Sequence, residues 1–252
     1  MSNNNLRVIT ININSWCPIT RSYSYAERIK HIKNILSSYN PHVIAIQELY
    51  SGKINLLEKA FSGEYYIFYP MGFDLDAPHS LITATLLSKS FFSATTLIAP
   101  PSSCSLPNRF TIVHATPEDR RLNPVTIMNI YIVTLSGRSN DHFPRKKIHE
   151  NLWNTTYSVL DREKEANHPT ILIGDLQESS SGPNCQILRT KYNMFEPIHN
   201  LPTTTNPHFG SNNSIDHIWF SPLARESYGP STFTISNELS YLTDHAVLIA
   251  NA

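Results

Sequence analysis

A chain of 252 residues that is 40% hydrophobic and 16% charged is too apolar for a disordered tail, and it can bury a core without staples. Twenty basic and twenty acidic residues cancel, which argues against indiscriminate adhesion to nucleic acid while allowing a local basic patch. Cys17, Cys104 and Cys185 are odd in number, far apart and without zinc spacing. With no apolar run long enough for a signal core or a membrane span, they point to a reduced, intracellular compartment and no membrane association.

Leu6 to Ile13 reads as a first strand, interrupted at Asn12. Tyr25 to Tyr39 reads as an amphipathic helix: Ala26, Ile29, Ile32, Leu36 and Tyr39 share a face, while Arg28, Lys30 and Lys33 point elsewhere. Pro41 stops it. Val43 to Ile46 is all apolar, as in a strand buried on both faces. Tyr65 to Tyr69, Leu81 to Leu87, Phe110 to Ala115 and Val125 to Val133 are further strands, and their succession without a helical pattern suggests antiparallel pairing. A second long helix runs from near Pro144 to about Glu165, with Ile148, Leu152, Val159 and Leu160 on its inner side and Pro169 just beyond. The tail alternates strand and loop through Thr170 to Ile173, Ile215 to Phe220, Thr232 to Ile235 and Ala246 to Ile249. Pro197 to Asn213 is a long surface loop rather than a boundary, and no repeat is visible. The expected fold class is α/β (α+β): one domain over residues 1–252, a four-layered α/β sandwich of two mostly antiparallel sheets packed face to face with helices outside.

Polar residues of one chemical kind stand beside these apolar runs. Gln47-Glu48 follows Val43 to Ile46, Gly174-Asp175 follows Ile171 to Ile173, Asp216-His217 precedes Ile218 to Phe220, and Asp244-His245 precedes Ala246 to Ile249. Acid and imidazole beside a core are costly unless they bind something, so the pattern describes a metal-assisted hydrolytic site. Period-two alternation turns His217 away from Asp216. His31, His42, His114 and His149 read as structural or solvated.

In the order Asn12-Ile13-Asn14, Gln47-Glu48, Asn129-Ile130-Tyr131, Gly174-Asp175, Ile215-Asp216-His217 and Thr243-Asp244-His245, the chain resembles the endonuclease/exonuclease/phosphatase superfamily, the DNase I-like fold. It is most similar there to apurinic/apyrimidinic endonucleases and LINE-type retrotransposon endonuclease domains. The resemblance implies a Mg²⁺ ion, replaceable by Mn²⁺, on Glu48 with Asn14 and Asp244 nearby. It implies His245 at the scissile phosphate, oriented by Asp216, with Asp175 orienting or deprotonating the attacking water. Asn12 and Tyr131 would donate to the non-bridging oxygens, and Gln177 would supply a catalytic amide. Thr134, Arg138, Arg109 and Ser214 are candidate nucleic-acid contacts.

The implied activity is Mg²⁺-dependent phosphodiester hydrolysis on nucleic acid by in-line water attack. The expected form is a monomeric DNA endonuclease that nicks double-stranded DNA. Two alternatives stand beside it: a phosphatase of inositol phosphates, phospholipids or small phosphoesters on the same fold, and a catalytically attenuated nucleic-acid-binding module. The second is motivated by two departures from the family pattern, Gln177 and Thr134, each at a position where an Asn is usual.

Overall fold

The computed structural model describes residues 6–13, 23–73, 80–135, 142–196, 214–229, 232–243 and 245–251. The first half runs β1 (Arg7–Asn12), α1 (Tyr25–Ser38), β2 (Val43–Tyr50), α2 (Ile54–Phe61), β3 (Tyr65–Phe68), β4 (Leu81–Ser88), β5 (Phe92–Ile98), β6 (Phe110–Pro117) and β7 (Val125–Tyr131). It continues through α3 (His142–Glu165), β8 (Thr170–Asp175), α4 (Pro183–Thr190), β9 (Asp216–Phe220), α5 (Pro222–Tyr228), β10 (Thr232–Ser236) and β11 (Val247–Asn251).

One sheet has the order β10-β11-β1-β2-β4-β3 and the other β5-β6-β7-β8-β9. Parallel pairing occurs between β1 and β2 and between β7 and β8. Each of these pairs is bridged by a long helix, α1 or α3, because parallel neighbours need a crossover. The remaining pairs are antiparallel, and the sheets are mostly antiparallel, as expected.

Three apolar layers hold the sandwich. Val8, Ala45, Val113, Ile127, Ile173, Ile218 and Leu248 fill the space between the sheets. Ile29, Ile32 and Leu36 of α1, with Leu57 and Phe61 of α2, cover the outer face of the first sheet. Leu152, Trp153, Val159 and Leu160 of α3, with Cys185 and Leu188 of α4, cover the second. The helices lie outside, which makes four layers. Among the described residues no helix is long and apolar enough to cross a membrane.

The structure adds elements that the apolar pattern does not announce. β5 is the edge of its sheet, with most side chains partly or fully in water, so its sequence FSATTLI carries no clean alternation. α2, α4 and α5 span only two turns, too short for a periodic signal, although α4 and α5 carry Pro183 and Pro222 in their first turn. β2 continues four residues past its apolar run, β7 stops at Tyr131 rather than Val133, and α3 starts two residues before Pro144. Arg28, expected on the solvated side of α1, is 4% exposed. Its Nη2 donates to the carbonyls of Ile13 and Leu242, tying the end of β1 to the segment that carries His245.

Gly174 sits at φ +140°, and a Cβ built there would lie 1.9 Å from the Ile130 carbonyl oxygen on β7. The contact is backbone and cannot swing away. Gly174→Ala is therefore expected to lose more than about 3 kcal/mol of stability. Urea unfolding checks this, and an unchanged midpoint would contradict the close approach of β7 and β8.

Candidate active site

Side chains on one face of a strand recur every second residue. On the inner faces of the two sheets this alternation runs from apolar to polar at one end. Val8 gives way to Thr10 and Asn12 on β1, Ala45 to Gln47 on β2, and Ile127 to Asn129 and Tyr131 on β7. Ile173 gives way to Asp175 on β8, while β9, running the other way, starts on Asp216. The registers Tyr131↔Asp175 and Asp175↔Asp216 put three of these side by side.

Glu48 breaks the alternation, and a bulge explains how it still reaches the site. β2 and β4 pair as Ile46↔Ala84 and then as Leu49↔Ile82, so two residues of β2 face one of β4. Glu48 takes φ +57° within that bulge. The extra residue turns its carboxylate to the inner face while returning Leu49 to the outer core. Asn129 supports the kink from the other sheet: its Nδ2 donates to the carbonyls of Ile46 (3.1 Å) and Ala84 (2.8 Å). Gln47 Nε2 completes the bridge with bonds to Asn129 Oδ1 (2.8 Å) and Thr10 Oγ1 (3.1 Å).

Beyond this bridge the predicted residues meet. Tyr131 Oη donates to Glu48 Oε1 at 2.6 Å, and Asn12 Nδ2 donates to Glu48 Oε1 (3.1 Å) and Asp175 Oδ2 (2.9 Å). Gln177, at φ +53°, donates to Asp175 twice, from its backbone N–H (3.0 Å) and from Nε2 (2.8 Å). The longer side chain thus folds its amide back onto the acid two residues earlier. His245 Nδ1 lies 2.8 Å from Asp216 Oδ2, and the ligating atoms of Asp175, Asp216 and His245 all fall within 4.8 Å of one another. Thr243 Oγ1 donates to the Asn12 carbonyl at 2.6 Å and accepts from the His245 N–H, which anchors the imidazole against β1.

Asp175 is fully buried. Burial, Asp216 and, more weakly, Glu48 raise its pKa, His245 and the Asn12 bond oppose them, and the result is pushed up to about 7. Burial and the neighbouring Glu48 carboxylate also push up the pKa of Tyr131, which keeps its phenol a donor. Arg109, expected on an exposed rim, instead lies in the turn Pro107–Arg109 with its guanidinium 4.0 Å from the centre of the Tyr131 ring. Burial lowers its pKa while Tyr131, Glu48 and Asp175 raise it. An arginine at this position stays charged. Nothing in the local sequence marks Arg109 as inward; strand pairing places it there.

Thr134 lies just past β7 and Ser214 just before β9, each half-buried. Asn14, Arg138 and Asp244 lie outside the described residues. The partners of His217 carry no local signature in the sequence. Its ring is buried on the face opposite Asp216, with Nδ1 on Glu196 and Nε2 on the Glu178 carbonyl at 2.8 Å.

The donor set suits a hard divalent cation. Oxygen ligands predominate, and the proximity of Asp216 and Glu48 to Asp175 creates a negative pocket that a bound cation relieves.

The pattern of the Endonuclease/Exonuclease/phosphatase family matches residues 9–245, and the chain belongs to that family. Membership supports a hydrolase acting on phosphodiester bonds. The fold is similar to that of an endonuclease/exonuclease/phosphatase from Bacteroides vulgatus, with a TM-score of 0.70, 12% identity and 98% of both chains covered. It is similar to the human nocturnin catalytic domain with bound sulfate, with a TM-score of 0.67 and 16% identity over 98% of this chain and 94% of that one. It is also similar to D. rerio TDP2 complexed with a single-strand DNA product, with a TM-score of 0.67, 17% identity and 98% of both chains covered. At these identities the likeness is one of fold. No curated protein matches the sequence.

The His217 environment yields a stability prediction. Burial lowers its pKa, but attraction to Glu196 and the hydrogen bonds to Glu196 and the Glu178 carbonyl outweigh it, and the net shift is upward. A carbonyl only accepts, so Nε2 carries a proton, and the Glu196 carboxylate calls for a second on Nδ1. A pKa raised on folding stabilises fully below the unfolded value near 6.5, and the benefit fades as pH rises through the folded value. His217→Gln, which leaves Glu196 with only Arg189 Nη2 at 3.3 Å among the described residues, is expected to cost about 1–3 kcal/mol at pH 6. The loss should shrink in alkali. A gap that widens with pH in urea unfolding would refute the charged form.

Proposed function

We propose that this chain is a metal-dependent phosphodiesterase acting on nucleic acid, and specifically a monomeric endonuclease that nicks double-stranded DNA. The observation that carries the reading is the Asp175 carboxyl, poised near neutrality between the Asn12–Glu48–Tyr131 chain and the His245–Asp216 pair. Asp175 takes a proton from the attacking water, and a base whose pKa lies near the working pH is well matched to that task. Asp216 accepts from Nδ1 of His245, which fixes the tautomer and leaves Nε2 to face the phosphate. Asn12 and Tyr131, which hold Glu48, have donors of the kind that non-bridging oxygens require as charge builds on them. Arg109 adds fixed positive charge behind the Tyr131 ring. A Mg²⁺ ion, or Mn²⁺ in its place, held by Glu48 with Asn14 and Asp244, would supply Lewis-acid stabilisation of the phosphate and leaving oxygens. Nucleic acid as the substrate class is supported by the fold shared with D. rerio TDP2, whose structure holds a single-strand DNA product.

With supercoiled plasmid and Mg²⁺, the wild-type chain is expected to convert substrate to the nicked circle, and His245→Ala to slow this about 10²–10⁴-fold. Equal nicking by the variant would remove the role of His245. Absence of nicking alongside release of phosphate from soluble phosphoesters would favour the phosphatase reading. The pH dependence has a definite sign, because the carboxylate form of Asp175 is the active one. kcat/KM should fall tenfold per unit as pH drops below a break at or under about 7, the cation moving the break down. Above the break it should be flat. Asp175→Asn cannot titrate and should leave only a residual rate that lacks the limb. An acid limb that survives in the variant's residual rate would assign the base elsewhere.

A further inference from the structure

At the opposite end of the second sheet, five residues along β7 from Tyr131 and so about 16 Å from the catalytic end, a different set of side chains converges. His114 on β6, Glu163 in the last turn of α3 and His168 just before β8 aim at one point. We propose that these three residues form a second metal site, one for a transition-metal ion such as Zn²⁺ that binds imidazole nitrogen.

The geometry is already close to what the ion requires. His114 Nε2 and His168 Nδ1 lie 3.0 Å and 3.1 Å from the same atom, Glu163 Oε2. In a tetrahedral zinc site with nitrogen and oxygen ligands at about 2.0–2.1 Å, two ligand atoms stand about 3.3 Å apart. All three ligating atoms fall within 4.8 Å of one another, so only a small closing of the two rings is needed. The rings already meet edge to face, with centres 4.9 Å apart.

The carboxylate is held for the purpose. Glu163 is almost completely buried, Arg162 occupies Oε1 through Nε (2.8 Å) and Nη2 (2.7 Å), and Thr126 Oγ1 donates to Oε2 at 2.7 Å. Backbone positions His168: two residues past the end of α3, Asn167 takes the left-handed conformation (φ +56°), and the His168 N–H returns to the Glu163 carbonyl at 2.9 Å. The two imidazoles are 36% and 45% exposed, which leaves water an open face from which to complete the coordination. The ion takes the lone pairs of His114 Nε2 and His168 Nδ1, so a proton on either atom is displaced on binding. Two imidazoles and one carboxylate select zinc, cobalt or nickel over Mg²⁺, in contrast to the oxygen-rich catalytic end. The ion would fasten the end of α3 to β6 and β8.

The test uses the full chain stripped with EDTA. Co²⁺ is expected to give the visible absorption of a tetrahedral site, displaced by one equivalent of Zn²⁺, and Zn²⁺ at about 100 times its Kd should raise Tm by roughly 5–10 °C. The double variant His114→Gln/His168→Gln should lose both signals. His168→Gln alone, at a half-exposed side chain that folding tolerates, should weaken Co²⁺ binding at least tenfold. His245→Ala should keep both signals, which separates this site from the catalytic end. No absorption and no Tm rise in the wild type would overturn the proposal, as would Co²⁺ binding of wild-type affinity in His168→Gln or signals that vanish in His245→Ala.

Discussion

The side-chain amides of Gln47 and Asn129 meet in the buried space between the sheets, and the site is built on that contact. Asn129 comes from β7 and satisfies the Ile46 and Ala84 carbonyls, while Gln47 comes from β2 and reaches back to Asn129 and Thr10. The two carbonyls belong to Ile46 and Ala84, the last pair before the bulge, where the β2–β4 ladder loses its register. A buried polar group left without a partner costs about 1–3 kcal/mol, so removing either amide strands several groups at once. The bulge needs that support, and Glu48 needs the bulge. Without the extra residue its carboxylate would point at the aliphatic side chains beneath α1 and α2.

The same end of the sandwich concentrates negative charge that the fold does not require. Asp175 and Asp216 are neighbours in register, both buried, and Glu48 reaches Asp175 through Asn12. Like charges brought together in a poorly solvated place raise each other's cost of ionising, which is visible at Asp175. Arrangements of this kind persist where a cation or a reacting group offsets them. The apolar layers carry the stability, and the polar rim draws on it.

His217 and Asp216 show how adjacent residues of one strand take unrelated tasks. Asp216 faces the rim and holds His245, while His217 faces α4 and binds the Glu178 carbonyl, which fixes the segment after Gln177. Gln177 turns back to Asp175 with two hydrogen bonds. Its longer arm is absorbed by local geometry rather than left projecting into the site. The replacement of Asn by Gln therefore leaves a well-ordered acid.

Sequence alone determined the layered class, the long helices α1 and α3, and the inner strands, because periods of two and 3.6 are written in residue type wherever one face is buried. It also marked Asn12, Glu48, Tyr131, Asp175, Asp216 and His245 as a set, since polar residues interrupting buried strands are rare and came in a family's order. Tertiary structure decided what has no local signature. The exposed edge strand β5 carries little alternation, and the two-turn helices are too short to show a period. The inward turn of Arg109 onto Tyr131, the Gln47–Asn129 bridge and the convergence of His114 with Glu163 and His168 join residues from different strands, helices and turns. Pairing register and a single extra residue in β2 set those contacts, and neither is legible until the strands are side by side.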